Sequence, residues 1–319
     1  MNATTPVRPL LEQRAAVRSA IRSSFDARGF IEVDTPVLSQ EILPEPHIEP
    51  VVVNDGRIDR YLQTSPEALM KRLLAAASGP IYQLAHCFRA GERSPRHDTE
   101  FIMLEWYQPQ ATLDDTAELL TDLLSRTLGT TGLQRISCRD AFSLHAGVDP
   151  MVAAADELLA AVARCGLVLP EGTNRLPDRD RWSLAFDLLL GEVITPRLGL
   201  DQPVMLESWP ASEAAFARLD PEQPERARRF ELFYAGVELA NGWEEETRAT
   251  EIRKRLLAIN RLRQSQGRRS LPLPERLLAA HGDAIPPGVG AALGFDRLVM
   301  LAAGADSIDA VRGFNSDTA

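Results

Sequence analysis

Two apolar runs, residues 81–90 (IYQLAHCFRA) and 100–109 (EFIMLEWYQP), constrain this chain more than any other feature. Nine polar residues, GERSPRHDT, join them. Both runs are rich in residues that suit a pleated, half-buried surface, so they predict a long-looped antiparallel hairpin. The two-residue period of a strand places Phe101, Met103, Glu105 and Tyr107 on one face, with Glu100, Ile102, Leu104 and Trp106 on the other. Glu105 therefore falls among apolar neighbours. A buried carboxylate is costly without a partner. It either closes an internal salt bridge or receives a cationic ligand.

The remaining elements fit around this hairpin. Residues 10–28 carry apolar positions at Leu10, Leu11, Ala15, Ile21 and Phe25, mostly at helical spacing with Val17 less well placed, and Gly29 is a natural stop. FIEVDTPVL alternates as a strand and then meets Pro36, which has no place inside a sheet. HIEPVVV and RYLQT read as strands around a turn at Asn54-Asp55-Gly56. Pro66 opens a helix over PEALMKRLLAAA. Further helices are expected over 113–128, 151–165 and 178–198, with the Pro/Gly-rich stretch 166–177 separating the last two. PVMLESWP and RRFELFYAGVELANGW read as strands, 247–264 as a charged helix and DRLVMLAAG as a short apolar one. Helices and strands mix without regular βαβ alternation. The expected fold class is therefore α+β, an antiparallel sheet flanked by helices.

A second acidic feature lies in RFELFYAGVELANGWEEE. With Ala235-Gly236 as a two-residue turn, Phe233 faces Glu238, and Glu231 and Glu238 become diagonal neighbours on one side. This is either a solvated acidic edge or a pair whose repulsion a divalent cation offsets, and oxygen ligands suit magnesium. The polar loop carries Arg89, Arg93, Arg96 and His97, and Arg297 follows the flexible PPGVGAALGFD. Arginine forks match phosphate oxygens. A basic loop alone is usually just solvated. Together with paired carboxylates and a glycine-rich approach it reads as a nucleotide–magnesium site.

Several classes are excluded. A net charge of −10 argues against broad attraction to nucleic acid. The three cysteines, Cys87, Cys138 and Cys165, are far apart and form no metal spacing, which fits a reducing, cytoplasmic setting. The N-terminus has no signal-peptide core, and no stretch approaches the ~20 apolar residues of a membrane span. Neither a P-loop nor a Rossmann fingerprint is present. The five histidines, His47, His86, His97, His145 and His281, show no ligand spacing.

Three segments resemble the class II aminoacyl-tRNA synthetase motifs in order and spacing. The helix-strand ending at TPVL with Pro36 (about 10–38) resembles motif 1, CFRAGERSPRHDTEFIMLEWY (about 87–108) motif 2, and GAALGFDRLVML (about 288–303) motif 3. TSPE at 64–67, FxMLEWY at 101–107 and ELANGWEE at 238–245 are similar to the lysine branch. MKRLL, MLEWY and DRLVML are more similar still to its stand-alone paralogues, the elongation factor P–(R)-β-lysine ligases.

The resemblance implies a single synthetase-like catalytic domain over 1–319, a homodimer through motif 1, and no OB-fold for the anticodon, since motif 1 begins near residue 10. It implies ATP and Mg2+, activation of (R)-β-lysine or lysine as an adenylate, and transfer to a lysine ε-amine of elongation factor P. A truncated lysyl-tRNA synthetase and an inactive synthetase-like binding module are the competing expectations. Residue by residue, Arg89 would meet the α-phosphate and Arg297 the γ-phosphate as catalytic arginines. Phe101 would stack on adenine with Arg297 on its other face. Gly91, Glu92, His97, Asp98, Leu239 and Gly294 would complete the ATP site, with Glu238 shared between nucleotide and metal, and Glu231 the second metal ligand. Glu105, Tyr107 and Glu245 would grip the side-chain ammonium, while Ser65, Pro66, Glu67 and Trp243 would help orient the amino acid. Ala292 stands where lysyl-tRNA synthetases usually have glycine, and its methyl would favour a β-amino acid. Ala90, Gly91, Asp98 and Thr99 depart from the family wording. Asp98 replaces an asparagine near the nucleotide, where an added negative charge would weaken ATP binding unless offset.

Overall fold

The structure is a computed structural model that describes residues 7–54, 56–281 and 284–319. The chain divides into two compact units, one formed by Met1–Gly129 with Glu245–Ala319 and the other by Thr130–Glu244. No helix among the described residues is long and apolar enough to cross a membrane.

The first unit begins with helix α1 (Val7–Asp26). Val17, Ile21 and Phe25 form its buried stripe, so Ile21 and Phe25 lie on the expected face, while Leu11 and Ala15 are exposed and Val17 takes their place in the core. Gly29 ends the segment at φ +73°, a left-handed conformation that glycine adopts without strain. The expected strand through FIEVDTPVL is not continuous. Its first part is β1 (Ile31–Glu32) and its end is β2 (Leu38–Ser39), and the two join different sheets on either side of Pro36. The run HIEPVVV is likewise extended only at β3 (Val52–Asn54), which pairs with β4 (Asp59–Leu62). Asp55 of the expected turn lies outside the described residues. Helix α2 (Glu67–Ala75) follows Pro66, as expected of a proline at a helix start. Strands β5 (Ile81–Phe88) and β6 (Glu100–Pro109) form the predicted hairpin, in register from Ile81↔Tyr107 to Phe88↔Glu100. Helix α3 (Leu113–Leu128) starts with a capping box at Thr112 and ends at left-handed Gly129.

The second unit opens with β7 (Gln134–Ser137) and α4 (Cys138–Ala146), both of which sequence reading passed over. The local signal was Ser137, whose hydroxyl caps α4 by accepting from the Asp140 amide at 3.1 Å. Helix α5 (Ala155–Arg164) begins four residues after the expected start, and α6 (Asp178–Leu189) gives way to a π turn at Leu190–Ile194 and a 3-10 turn at Thr195–Arg197. Pro196 lacks the N–H that an α-helix needs there. Strand β8 (Val204–Pro210) pairs parallel with β7 and antiparallel with β9 (Arg226–Tyr234), which pairs antiparallel with β10 (Val237–Glu244). Phe142, Phe186 and Trp182 stack at 4.7 and 5.1 Å beside buried Trp209 to form the core of this unit.

Back in the first unit come α7 (Ala249–Ser265), α8 (Glu275–His281), β11 (Gly288–Gly294) and α9 (Phe295–Ala302). The sheet of this unit runs β1-β5-β6-β11, with β1 parallel to β5 and the other pairs antiparallel. One face of β5–β6 is core: Phe25 of α1 stacks on Tyr82 at 4.6 Å and meets Trp106 edge-on at 5.6 Å. Helix α9 is tied to the hairpin by Asp296, whose Oδ2 accepts from the Ile102 amide at 2.9 Å and whose Oδ1 lies 2.8 Å from the Arg14 guanidinium. Phe25→Ala removes the ring that Tyr82, Trp106 and Phe30 share. It should cost about 3–5 kcal/mol in urea unfolding, and a loss below about 1 kcal/mol would place the stabilising contacts elsewhere.

Candidate active site

The opposite face of β6 is where the carboxylates gather. Glu105 is 2% exposed, as the alternation of the strand requires. Ser65 Oγ donates to its Oε2 at 2.5 Å and Tyr107 Oη donates to Oε1 at 2.6 Å. Ser65 also caps the approach to α2 by accepting from the Glu67 amide at 3.0 Å. On α2, Lys71 is buried, with its ammonium 2.7 Å from Glu67 and 2.6 Å from Glu245. Burial lowers the Lys71 pKa, but Glu245 and Glu67 more than offset this and hold it above the ordinary lysine value. Sequence reading placed Glu67 and Glu245 on the substrate. The chain's own lysine bridges both, which leaves Glu105 as the carboxylate held only by hydroxyls among the contacts described here. The available signal was the i,i+4 spacing of Glu67 and Lys71 on one helical face.

Strand β11 lets the chain approach closely. A methyl on Gly290 would collide with Glu245 Oε1 and the Tyr107 ring, so only glycine leaves room for that carboxylate. Ala292 lies opposite Glu105 in the ladder and packs on Ala85, Cys87 and Met103. Glu45 was not foreseen at all. Burial pushes its carboxyl up to about 7 against the lowering charge of Arg89, and Thr64 Oγ1 lies 3.5 Å away. Fully buried Arg263 fixes this segment by donating to the carbonyls of Glu45 and Ile48 and to the Glu49 carboxylate.

Backbone bonds hold the start of the arginine loop between β5 and β6. The Arg89 amide donates to Thr99 at 2.9 Å and the Ala90 amide to Glu49 at 2.8 Å. Gly91 turns the chain at φ +76°. The Arg89 guanidinium lies 5.0 Å from the Phe101 ring centroid and 4.0 Å from Glu92. Arg297 donates to the Arg96 carbonyl at 3.2 Å and lies 2.6 Å from His97 Nε2. Arginine has only donors, so Nε2 accepts and Nδ1 carries the proton toward Ser94 Oγ, 2.7 Å away. Burial, then the charges of Arg297, Arg89 and Arg96, push His97 down to about 4, which keeps the ring neutral. The Arg297 stem lies against Gly294, where an added methyl would sit 3.4 Å from its Cδ. Asp98, expected beside the nucleotide, is instead 1% exposed and bonded to Arg312, Ser316 and the Thr99 amide. Its charge is offset within the protein.

In the second unit, Phe233 pairs with Glu238 as the predicted turn requires, but a bulge between Glu238 and Ala240 shifts the register so that Glu231 faces Asn241. Leu239 at the bulge is buried. Burial raises the Glu231 pKa, Arg229 opposes that rise, and the Glu238 charge adds to it, so the two carboxylates are electrostatic neighbours as expected. Arg229 was missed: it donates to Glu231 at 2.6 Å and lies over Trp209 at 3.9 Å. Trp243 packs edge-on against Phe216 at 6.3 Å. Among the described residues no cluster of three or more metal-ligating side chains occurs.

Burial, then the Glu67 charge, push Glu105 up to about 8, against the hydrogen bonds from Ser65 and Tyr107. The unfolded value is about 4.3, so between the two the folded chain holds a proton that the unfolded chain lacks. That contribution to stability is complete below the unfolded value and is lost as pH rises through the folded one. Urea stability should therefore fall from pH 5 to 8, and Glu105→Gln should make the fall shallower by up to about 1.4 kcal/mol per pH unit. Equal slopes in the two proteins would mean that Glu105 is ionised throughout.

The family described as tRNA synthetases class II (D, K and N) matches residues 3–318. A protein of Edwardsiella ictaluri named elongation factor P–(R)-β-lysine ligase is 40% identical over 322 residues, covering 99% of this chain and 97% of its own. Proteins of the same name from Salmonella gallinarum and Klebsiella pneumoniae are each 39% identical, covering 98% of this chain and 96% of theirs. With its motif 2 hairpin, its motif 3 strand and helix, and these relatives matched along nearly their whole length, the chain belongs to the class II tRNA synthetases of the D, K and N group, alongside the elongation factor P–(R)-β-lysine ligases.

Proposed function

We propose that this protein activates (R)-β-lysine, or lysine, with ATP and transfers it to the ε-amine of a lysine on elongation factor P. One observation supports this above the rest: Glu105 is buried beside two hydroxyls, as a binding group for a cationic side chain should be, in a chain about 40% identical to ligases of that name. Glu67 and Glu245, neutralised in part by Lys71, frame the same ammonium, with Tyr107, Ser65 and Pro66 shaping its surroundings. Ala292, across from Glu105, sets the room left for the amine nearer the carboxylate.

In the first step a substrate carboxylate oxygen bonds to the α-phosphorus of ATP and the bond to pyrophosphate breaks, leaving an acyl-adenylate. Arg89 and Arg297 stabilise the phosphate charge, with Phe101 against the adenine. In the second step the acceptor amine bonds to the acyl carbon, the bond to AMP breaks, and the amine proton passes to solvent. Orientation of the two reactants supplies much of the rate, and no protein nucleophile is needed.

Glu231 and Glu238 are proposed to hold magnesium. Burial is the main cause of the raised Glu231 pKa, and the Glu238 charge adds to it; that added repulsion is what a divalent cation relieves, and magnesium typically binds through one or two carboxylates plus phosphates. The ion would supply charge neutralisation at the phosphates. A cytoplasmic setting goes with a translation factor as acceptor.

Intact mass of elongation factor P after incubation with enzyme, ATP and each lysine isomer tests the reading. A single added lysyl or β-lysyl unit is expected. Charging of tRNA with no change in elongation factor P would overturn it. A homodimer through the motif 1 region belongs to the same proposal. Ile31, Val37 and Leu38 are exposed there, and sedimentation should give twice the chain mass, whereas a monomer would remove this part.

A further inference from the structure

The residues after α9 have no part in the reaction proposed above, yet they are bonded along the arginine loop. The Ile308 amide donates to the Pro95 carbonyl at 2.9 Å. Arg93 forks onto both oxygens of Asp309, at 3.1 and 2.7 Å, and reaches Asp317 at 2.9 Å. Arg312 Nη1 donates to Asp98 Oδ2 at 2.6 Å, the Ser316 amide donates to the same oxygen at 3.0 Å, and the Ser316 hydroxyl bonds Oδ1. Asp98 is buried to 1% exposure. Its neighbour in sequence is His97, the ring that receives Arg297, and the residue after it, Thr99, holds the Arg89 amide. The path from the C-terminal segment to both arginines is thus short: Arg312 and Ser316 fix Asp98, Asp98 fixes the backbone on either side, and that backbone carries His97 and Thr99.

The Arg93 contacts are part-exposed and individually weak. The Asp98 contacts are different. Removing one partner of a buried ion pair leaves the other charge uncompensated, which disturbs the surrounding backbone far more than loss of a surface pair does. An asparagine needs no counter-charge, whereas an aspartate does, and Arg312 supplies it.

We infer that the segment Ile308–Asp317 is a strap that orders the arginine loop, with Arg312 a positioning residue for Arg297 and Arg89 acting through Asp98. As a statement about ATP use, this rests on the proposed adenylation. The strap itself does not.

The test is a double-mutant cycle on Asp98 and Arg312, read by lysine-dependent ATP–pyrophosphate exchange and by hydrogen exchange of the 91–99 amides. Arg312→Met should raise the KM for ATP by about tenfold or more, as expected when a catalytic group is misplaced, and leave the KM for the amino acid unchanged. Asp98→Asn combined with Arg312→Met should bring the ATP KM back to within about threefold of the starting protein, since the neutral pair leaves no stranded charge. Additive losses in the double variant, or equal rises in both KM values, would overturn the strap. Ser316→Ala keeps the ion pair and serves as the milder probe should Arg312→Met fail to fold, and an unchanged ATP KM there would count against the idea. If the starting protein shows no exchange with any lysine isomer, the proposed function fails while the strap is still decided. Loop amides that exchange faster in Arg312→Met and recover in the double variant support it, and unchanged amides sink it.

Discussion

The Lys71 ammonium, buried between Glu67 and Glu245, is the interaction on which this group of buried carboxylates depends. It joins helix α2 to the residue that follows β10 in the chain. Three buried carboxylates, Glu67, Glu105 and Glu245, crowd this region, and Lys71 pairs with two of them. Loss of the lysine would strand both, a cost of about 3–5 kcal/mol for a broken buried pair. Its presence also explains the neighbouring sequence. Gly290 has to be glycine because Glu245 and Tyr107 fill the space that a methyl would take. Glu105, bonded to Ser65 and Tyr107, holds its proton to higher pH than an ordinary carboxyl because burial and the Glu67 charge disfavour its ionised form.

The hairpin β5–β6 serves core and site at once because a strand has two faces. Tyr82, Leu104 and Trp106 turn toward Phe25, while Glu105 and Tyr107 turn toward α2 and β11. The burial that makes the first face stable also desolvates the second. That is why the same strand that anchors the unit can carry a carboxylate with a raised pKa. At its far end the loop is held by backbone bonds to Glu49 and by Asp98, so the arginines sit on a framework and not on a free loop.

Much of this was legible in the sequence, and for identifiable reasons. Period two on EFIMLEWYQP placed Glu105 among apolar side chains, and it is there. The turn at Ala235-Gly236 fixed Phe233 opposite Glu238. Local rules failed where structure is not local. The bulge after Glu238 moved Glu231 opposite Asn241, since a bulge leaves no mark in hydrophobic alternation. FIEVDTPVL split between two sheets, because which partner a short strand finds is decided by distant segments. The short elements β7 and α4 went unseen because a four-residue strand running straight into a helix offers no break to read.

The sequence by itself determined the fold class, the hairpin with its arginine loop, the acidic pair and the identity of the family, since each rests on periodicity or on residues close together in the chain. Only the tertiary structure decided who partners whom among the buried charges. Asp98 needed an offset for its charge, and Arg312 and Ser316, more than 200 residues away, hold it. Glu245 shares Lys71 with Glu67 although it lies far along the chain from both. Charge–charge energies in a desolvated interior fall off over a few ångströms and depend on geometry, not on distance along the chain. Spacing can show that a buried charge needs a partner, but only folding chooses which one it gets.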